Sequence, residues 1–388
     1  MRQKVQEEIL KIQANNILLE LPTGLGKTKL ALEKVSSLNA FQKVLIVVPR
    51  LVLIDSWKKE IEKWGFNLNP TFVTYVSLHK MIGDWDVVIY DECHHLSERC
   101  RENLPYINSK SNILLSATVK FKLKQELCSC FKDLYLYKVN LRTAIEEEAL
   151  PDPIVYLIPL ILDNKEVTES FMINEKKPGA YVNCMYATKW QFIKSKTKTK
   201  VHCTQRQYYD ELSNKIDWYK NRYFRCRNKG VQAKWLQLAG ERLKWLSDRK
   251  TDIVKEYLRY LKSKRVLTFC NSIEQAEKIC SNNITSKNND SQRILDSFNT
   301  GKINHITACN MLNEGMNLTN CQIGIYANLN SSETIVKQRT GRLLRHEKPI
   351  IIIPYFKNTR DEELVKLMIE DYNKDLIKII NFINEIYN

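Results

Sequence analysis

No apolar run in the 388 residues approaches the roughly 18 that a membrane span requires. The longest runs are short pieces such as Val44–Val48, so no bilayer-crossing helix is expected. The start, Met1-Arg-Gln-Lys-Val-Gln-Glu-Glu8, lacks an apolar core and carries acids, which fits neither a secretory nor a transit peptide. A soluble, cytoplasmic protein is expected. The eleven cysteines contain no C-x2-C pair, which argues against a disulfide framework and a zinc ribbon and for reduced thiols. The close pair Cys128-Ser-Cys130 has no second Cys/His pair at ligand spacing. No internal repeat is visible, and the length allows two or three domains with real cores.

Basic residues are plentiful: 60 Lys and Arg face 44 Asp and Glu, a net charge of +16. Such an excess speaks to polyanionic partners, and its position matters more than its sum. Residues 194–265 hold 21 Lys/Arg and 7 Asp/Glu, a balance of +14, whereas the rest of the chain is near neutral.

The first 150 residues alternate short apolar runs with amphipathic stretches. Candidate strands are Ile17–Leu21, Val44–Val48, Phe72–Val76, Val87–Tyr90 and Ile113–Leu115, and Lys27–Ser37 and Ser56–Lys63 read as helices. Continuous apolar strands alternating with helices predict an α/β domain with a parallel sheet. Leu150-Pro-Asp-Pro153 then marks a joint. The pattern resumes over Ile154–Leu162 and returns with Val266–Phe269, Ile303–Ala308, Ile323–Tyr326 and Ile350–Pro354. This predicts a first lobe over 1–150 and a second over 151–388, the latter carrying a basic helical insertion over 164–263. Within the insertion, Thr204-Gln-Arg-Gln207 has the form of a capping box. Ala233–Leu261 reads as a helix with Leu236, Leu243, Leu246, Ile253, Val254, Tyr257 and Leu261 near one face, and Asp361–Tyr387 as a C-terminal amphipathic helix.

Leu21-Pro22-Thr23-Gly24-Leu25-Gly26-Lys27-Thr28 follows the first strand and opens a helix, the context of a phosphate-binding loop. Gly24 and Gly26 let backbone N–H groups close on phosphate oxygens, Lys27 reaches the β and γ phosphates, and Thr28 can hold Mg²⁺. Leu21 stands where glycine is usual. Val87-Val-Ile-Tyr-Asp91-Glu92 puts two carboxylates after a buried strand. Asp91 is placed to bind Mg²⁺ and Glu92 to polarise an attacking water. Gln338-Arg-Thr-Gly-Arg342-Leu-Leu-Arg345 carries two arginines three apart, able to reach a γ-phosphate across a cleft. Together these predict an ATPase built at a domain interface.

The set resembles superfamily 2 helicases and translocases, with motifs in the family's order over nearly the whole chain. Beyond the loop, Asp91–His94 is similar to the DExH box and Ser116-Ala-Thr118 to the linker motif. Val48-Pro-Arg50 with Trp57, and Val73-Thr-Tyr-Val-Ser77, are similar to the strand-binding motifs of the first lobe. Phe269-Cys-Asn-Ser272, Thr307–Leu318 and Gln338–Arg345 are similar to the fourth, fifth and sixth motifs. The resemblance implies two RecA-like lobes that bind ATP and Mg²⁺ between them and a nucleic-acid strand across their tops. It implies coupling through Ser116 and Thr118, orientation of water or phosphate by Gln338, and arginine fingers at Arg342 and Arg345. Gln6 is the candidate for adenine recognition, with Gln3 an alternative, and Gly315 is a further nucleotide contact. Arg50, Thr74, Asn271, Ser272 and Thr307 would meet the strand. Asn317 stands where many relatives have Asp. Within the superfamily the DECH spelling resembles phage branch-migration helicases of the UvsW kind, with more distant similarity to RecG, XPB and Snf2-type translocases. A compact motor without a RecG-type wedge domain or attached nuclease is expected, working as a monomer.

The insertion combines its charge with Trp218, Tyr219, Tyr223, Phe224, Trp235 and Trp245. Its expected role is to grip DNA, with Lys196, Lys198, Lys200, Arg222, Arg225 and Arg227 as phosphate contacts. The Trp residues are expected to form the core of a helical hairpin. The leading expectation is an ATP-dependent motor on forked or branched DNA, with unwinding or branch migration as its action. An RNA helicase or RNA-dependent ATPase, a duplex translocase that does not unwind, and a non-hydrolysing clamp are the alternatives.

Overall fold

The computed structural model describes residues 2–38, 43–176, 194–309, 318–319, 321–329, 341, 343 and 346–386. Its first half runs α1 (Arg2–Lys11), β1 (Asn16–Glu20), α2 (Lys27–Ser37), β2 (Val44–Val48), α3 (Val52–Lys63), β3 (Thr71–Thr74), β4 (Gly83–Tyr90), α4 (Glu98–Arg101), β5 (Ile107–Ser116), α5 (Phe121–Cys130), β6 (Tyr135–Lys138) and α6 (Leu141–Glu146). The strands form one sheet in the order β3-β2-β4-β5-β1-β6, and its described pairings are parallel. All five residues of β2 and the last four of β4 are buried, as helices on both faces of a parallel sheet require.

Two elements depart from the sequence pattern. The expected strand Phe72–Val76 ends at Thr74, where the chain enters a 3₁₀ turn that leaves Val76 exposed. The edge strand β6 has no apolar signature, because Tyr135 and Leu136 are both about half exposed.

The second half runs β7 (Ile154–Leu160), β8 (Glu169–Lys176), β9 (Lys194–Cys203), α7 (Gln205–Cys226), α8 (Lys229–Arg249), α9 (Thr251–Tyr260), β10 (Val266–Cys270), α10 (Ile273–Ile279), β11 (Asn283–Ile284), α11 (Ser291–Asn299), β12 (His305–Cys309), β13 (Ile323–Tyr326), β14 (Ile350–Phe356), α12 (Arg360–Met368) and β15 (Ile377–Ile379). A second sheet has the order β11-β12-β10-β13-β14-β7-β15, again with parallel described pairings. The long C-terminal helix expected over Asp361–Tyr387 is not formed. After nine residues of α12 the chain turns through Lys374–Leu376, and Ile377–Ile379 instead pairs with β7 at the sheet edge.

The chain divides into two compact units. One comprises Met1–Ile158, Ser247–Tyr355 and Glu363–Asn388, and holds both parallel sheets. The other comprises Pro159–Leu246 and Phe356–Glu362. The second unit is not wholly helical: β8 and β9 form an antiparallel hairpin beside α7 and α8. Thr204 and Gln207 make the capping box that opens α7, each side chain bonded to the other's backbone N–H. Leu212, Ile216 and Leu238 pack between α7 and α8, and Leu162, Tyr209, Leu246 and Phe356 form a second cluster at their base. The helix expected over Ala233–Leu261 breaks at Lys250, which caps α9. Leu236 is 56% exposed and so lies off the apolar face assigned to it. Helix α9 belongs to the first unit, where Val254 and Tyr257 are buried and Tyr257 meets Phe382 edge-on.

Candidate active site

Strands β4, β5 and β1 are neighbours, so the loops leaving their carboxyl ends stand side by side. Ligands of open parallel sheets bind at such ends. The three loops carry Asp91-Glu92, Ser116-Ala-Thr118 and Leu21–Thr28. They are tied together at the backbone by the Leu21 N–H, which donates to Ser116 O at 2.9 Å.

The loop after β1 reaches α2 through two glycines in the left-handed region, Gly24 at φ 102° and Gly26 at φ 84°. Gly26 is the N-cap of α2, and no side chain caps that end. The first N–H groups of a helix have no carbonyl partner within it, and with the helix dipole they favour an anion. A side chain at Gly24 would meet Leu150 at 3.1 Å. From the second sheet's lobe comes Gly341, in the sixth motif. A Cβ there would overlap the Thr23 side chain and lie 2.7 Å from Thr23 O, so only glycine lets this segment lie against the phosphate loop.

Lys27 and Glu92 are recessed, with side chains 11% and 15% exposed. Lys27 Nζ lies 3.8 Å from Glu92 Oε1 and donates to Leu21 O at 3.3 Å. His94 Nδ1 lies 3.3 Å from Glu92 Oε2 and 3.1 Å from Ser116 Oγ. The Ser116 Oγ also lies 3.0 Å from Thr118 O and accepts from the Thr118 N–H at 3.3 Å. Burial alone would raise the Glu92 carboxyl, but Lys27 and His94 outweigh it and hold the group well below the usual range. Asp91 moves the other way. Burial and the Glu92 charge raise it to about 6, opposed by the Trp57 indole and Lys27. Two adjacent carboxylates whose environments drive them apart suit an ionised group near water and a partner that takes a cation.

Trp57 is buried at 2% exposure, and its Nε1–H donates to Asp91 Oδ2 at 2.9 Å. Its grouping with the strand-binding motif is thereby corrected, for the indole faces the acidic pair. The Tyr75 hydroxyl donates to Asp91 O at 2.7 Å. Sequence reading missed both contacts. The i, i+4 spacing of Leu53, Trp57 and Ile61, all buried, signals burial of the Trp but not its partner.

Among the other expected site residues, Gln6 lies half-buried on α1 and Thr28 half-buried on α2. Pro22 and Leu25 are buried in the loop. Arg50 is exposed and Thr74 half-buried. Ser272 caps α10 by accepting from the Gln275 N–H at 3.1 Å, and the Asn271 N–H donates to Gln275 Oε1 at 2.9 Å. Thr307 departs from its expected role as a strand contact. It is fully buried in β12, and its hydroxyl donates to Ala276 O at 3.0 Å, which fastens α10 to the sheet. In the second unit Lys200, Arg222, Arg225 and Arg227 are exposed, and Lys196 and Lys198 lie on β9. Gly315, Asn317, Gln338, Arg342 and Arg345 lie outside the described residues. The ten described cysteines are free thiols, and among the described residues no cluster has the makings of a metal site and no helix is long and apolar enough to cross a membrane.

The donor set fits a nucleoside triphosphate with a divalent ion. The uncapped helix end, the two left-handed glycines and Lys27 make a phosphate cradle, and Thr28 and Asp91 supply oxygens of the kind Mg²⁺ takes. Two hydroxyl oxygens near the loops, Thr23 Oγ1 and Thr118 Oγ1, are buried without a partner, as expected where a ligand completes a site.

Comparison with known proteins agrees. Residues 249–347 match the family described as helicase conserved C-terminal domain, and residues 2–75 match type III restriction enzyme, res subunit. The chain is 25% identical over 376 residues to the DNA 3'-5' translocase XPB2 of Sulfurisphaera tokodaii, covering 89% of this chain and 79% of that protein. The Pyrococcus furiosus Hef helicase domain shares the fold with a TM-score of 0.53 at 15% identity, covering 94% of this chain and 96% of that one. Dbp5 of S. cerevisiae, solved with RNA and ADP BeF3, does so with a TM-score of 0.58 at 10% identity, covering 97% and 89%. With two RecA-like parallel-sheet lobes, a phosphate loop and a DExH box set against the linker motif, the chain is a superfamily 2 helicase/translocase, a nucleic-acid-dependent ATPase.

Proposed function

We propose that the chain is an ATP-driven motor that moves along DNA and acts at forked or branched sites, by unwinding or branch migration of the UvsW kind. The observation that carries the hydrolytic part is Glu92, held ionised between Lys27 and His94 on the strand end beside the phosphate loop. Glu92 polarises the water that attacks the γ-phosphorus, and Lys27 stabilises charge on the phosphate oxygens. Thr28 and Asp91 hold Mg²⁺, which when bound neutralises charge on the phosphates. The cradle of Pro22, Thr23, Gly24, Leu25 and Gly26 holds the phosphates, with Gln6 and Gly315 as further nucleotide contacts. Gln338, Arg342 and Arg345 act on the γ-phosphate from the second lobe, and the Gly341–Thr23 approach supports that assignment. Ser116 and Thr118 couple the site to lobe movement, since Ser116 shares His94 with Glu92.

DNA is favoured over RNA because the XPB2 relative is described as a DNA translocase over most of both chains. Contacts to the strand are assigned to Arg50, Thr74, Asn271 and Ser272, with the exposed Lys200, Arg222, Arg225 and Arg227 and their neighbours Lys196 and Lys198 gripping phosphates. The same description favours, as a second reading, duplex translocation without strand separation. Displacement of a third strand without unwinding would single it out. A cytoplasmic, monomeric motor completes the reading.

The test is steady-state ATPase across single-stranded, forked and four-way-junction DNA and duplex RNA. Stimulation by forked or junction DNA is expected, and stimulation by duplex RNA alone would overturn the assignment. Lys27→Ala and Glu92→Gln should each lower turnover by about 10² to 10⁴ while DNA binding persists. DNA-stimulated hydrolysis surviving both substitutions would refute the mechanism.

A further inference from the structure

In the second unit, Leu212, Ile216 and Leu238 pack between α7 and α8 with Tyr219 and Trp235 against them, and the helix ends beyond carry a different surface. Trp218 is 54% and Phe224 50% exposed; Trp218 thus departs from the expectation that the Trp residues form the hairpin core, whereas Trp235 and Trp245 pack against its buried clusters. Trp218 and Phe224 are not isolated. Tyr223 and Phe224 face Trp235 with ring centroids 5.8 and 6.0 Å apart, and Trp218 meets Tyr219 edge-on at 4.8 Å. Arginines lie over the rings: the Arg222 guanidinium is 5.1 Å from Trp218, and that of Arg227 is 5.2 Å from Phe224.

The charge at this end is of one sign. From Trp218 to Leu236 the chain has six Lys/Arg and no Asp/Glu, and all six are exposed. The turn that presents them is held by local hydrogen bonds. Arg227 closes α7 in the left-handed region at φ 51°, and Asn228 Oδ1 accepts from the N–H groups of Gly230 at 2.8 Å and Val231 at 3.2 Å. A duplex offers phosphates along its sides but hides its base faces, so it would be met by the cations and would leave the exposed rings in water. A strand with unpaired bases offers both chemistries at once: phosphates for the cations and π-faces for the rings.

We infer that the tip formed by the ends of α7 and α8 is a binding site for unpaired DNA, with Trp218 and Phe224 stacking on bases and Arg222, Arg225 and Arg227 on the flanking phosphates. The inference rests on the reading of the chain as a DNA motor and deepens it. It separates the rings, which read single-strand character, from the charges, which any nucleic acid satisfies. Phe224 already packs against Tyr223 and Trp235, and Trp218 against Tyr219, so less side-chain freedom is lost when a base arrives than at an isolated ring.

The test uses the full chain and measures fluorescence anisotropy with a single-stranded oligonucleotide and a blunt duplex of the same length. Trp218→Ala with Phe224→Ala should weaken single-strand binding by about tenfold and leave duplex binding within about twofold. Trp218→Phe with Phe224→Tyr should restore single-strand binding to near the parent value, and 2-aminopurine in the oligonucleotide should lose its quenching only in the alanine variant. Both side chains are half in solvent, so the melting temperature should stay close to that of the parent. Unchanged single-strand binding in a folded alanine variant would overturn the proposal. So would an equal loss on both DNAs, which would make the tip a general electrostatic grip. If the parent chain bound neither DNA, the DNA assignment itself would fall and this proposal with it, a failure distinct from one confined to the alanine variant.

Discussion

Trp57 and Tyr75 stand in the two segments similar to strand-binding motifs of the first lobe, yet both donate hydrogen bonds to Asp91, one to its carboxylate and one to its carbonyl. A contact made at Arg50 or Thr74 therefore has a short physical route to the acidic pair. Trp57→Phe keeps the buried ring and removes the donor. Hydrogen bonds to charged groups contribute about 1.5–3 kcal/mol to stability, so the melting temperature should fall, and in the folded variant DNA-stimulated kcat/KM should fall by about tenfold or more. An unchanged rate in that variant would mean that the contact only packs α3. Gly341 supplies a second residue-scale prediction. Gly341→Ala cannot be accommodated without moving the sixth motif away from Thr23. Turnover should drop by an order of magnitude or more, about 1.4 kcal/mol for each tenfold, with DNA binding by the second unit retained.

At the scale of elements, α1 is fastened to α2 by one side chain. Lys34 is buried at 4% exposure, and its ammonium donates to Leu10 O at 3.1 Å and Ile12 O at 2.6 Å at the end of α1. Burial lowers its pKa, and two carbonyls would be orphaned without its hydrogen bonds. Lys34→Met should destabilise the chain by about 1–3 kcal/mol, read as a lowered melting temperature. It should also weaken nucleotide binding if Gln6 on α1 is the adenine contact. In the other lobe Gln275 joins α10 to the end of α8. Its side chain donates to Ser247 O at 2.6 Å, accepts from Ser247 Oγ at 2.8 Å and from the Asn271 N–H at 2.9 Å. The loop after β10 thus takes its shape from residues far away in the chain, and no local pattern signals that.

For the whole molecule, the charge divides as the fold does. The basic excess of residues 194–265 falls largely in the second compact unit, and there the exposed cations should set the salt dependence of DNA binding. Replacing Lys200, Arg222, Arg225 and Arg227 together by Gln should reduce the slope of log K against log salt by about 0.7 to 0.9 for each phosphate no longer neutralised. An unchanged slope would remove the second unit from the DNA interface. The α/β architecture, the parallel sheets, the phosphate loop and the DExH box were legible from the residues alone. Continuous apolar strands and glycine-bearing turns are local consequences of backbone sterics and burial, and neighbouring residues express them wherever the chain folds. Tertiary structure alone decided what those residues touch. Trp57 reaches Asp91, Ser116 shares His94 with Glu92, Gly341 lies against Thr23, Thr307 is buried, and Ile377–Ile379 becomes a strand because an open sheet edge offers backbone partners that an isolated helix end does not. Each depends on a neighbour distant in sequence, and the free energy that selects it comes from packing and hydrogen bonds that exist only once the sheets have formed.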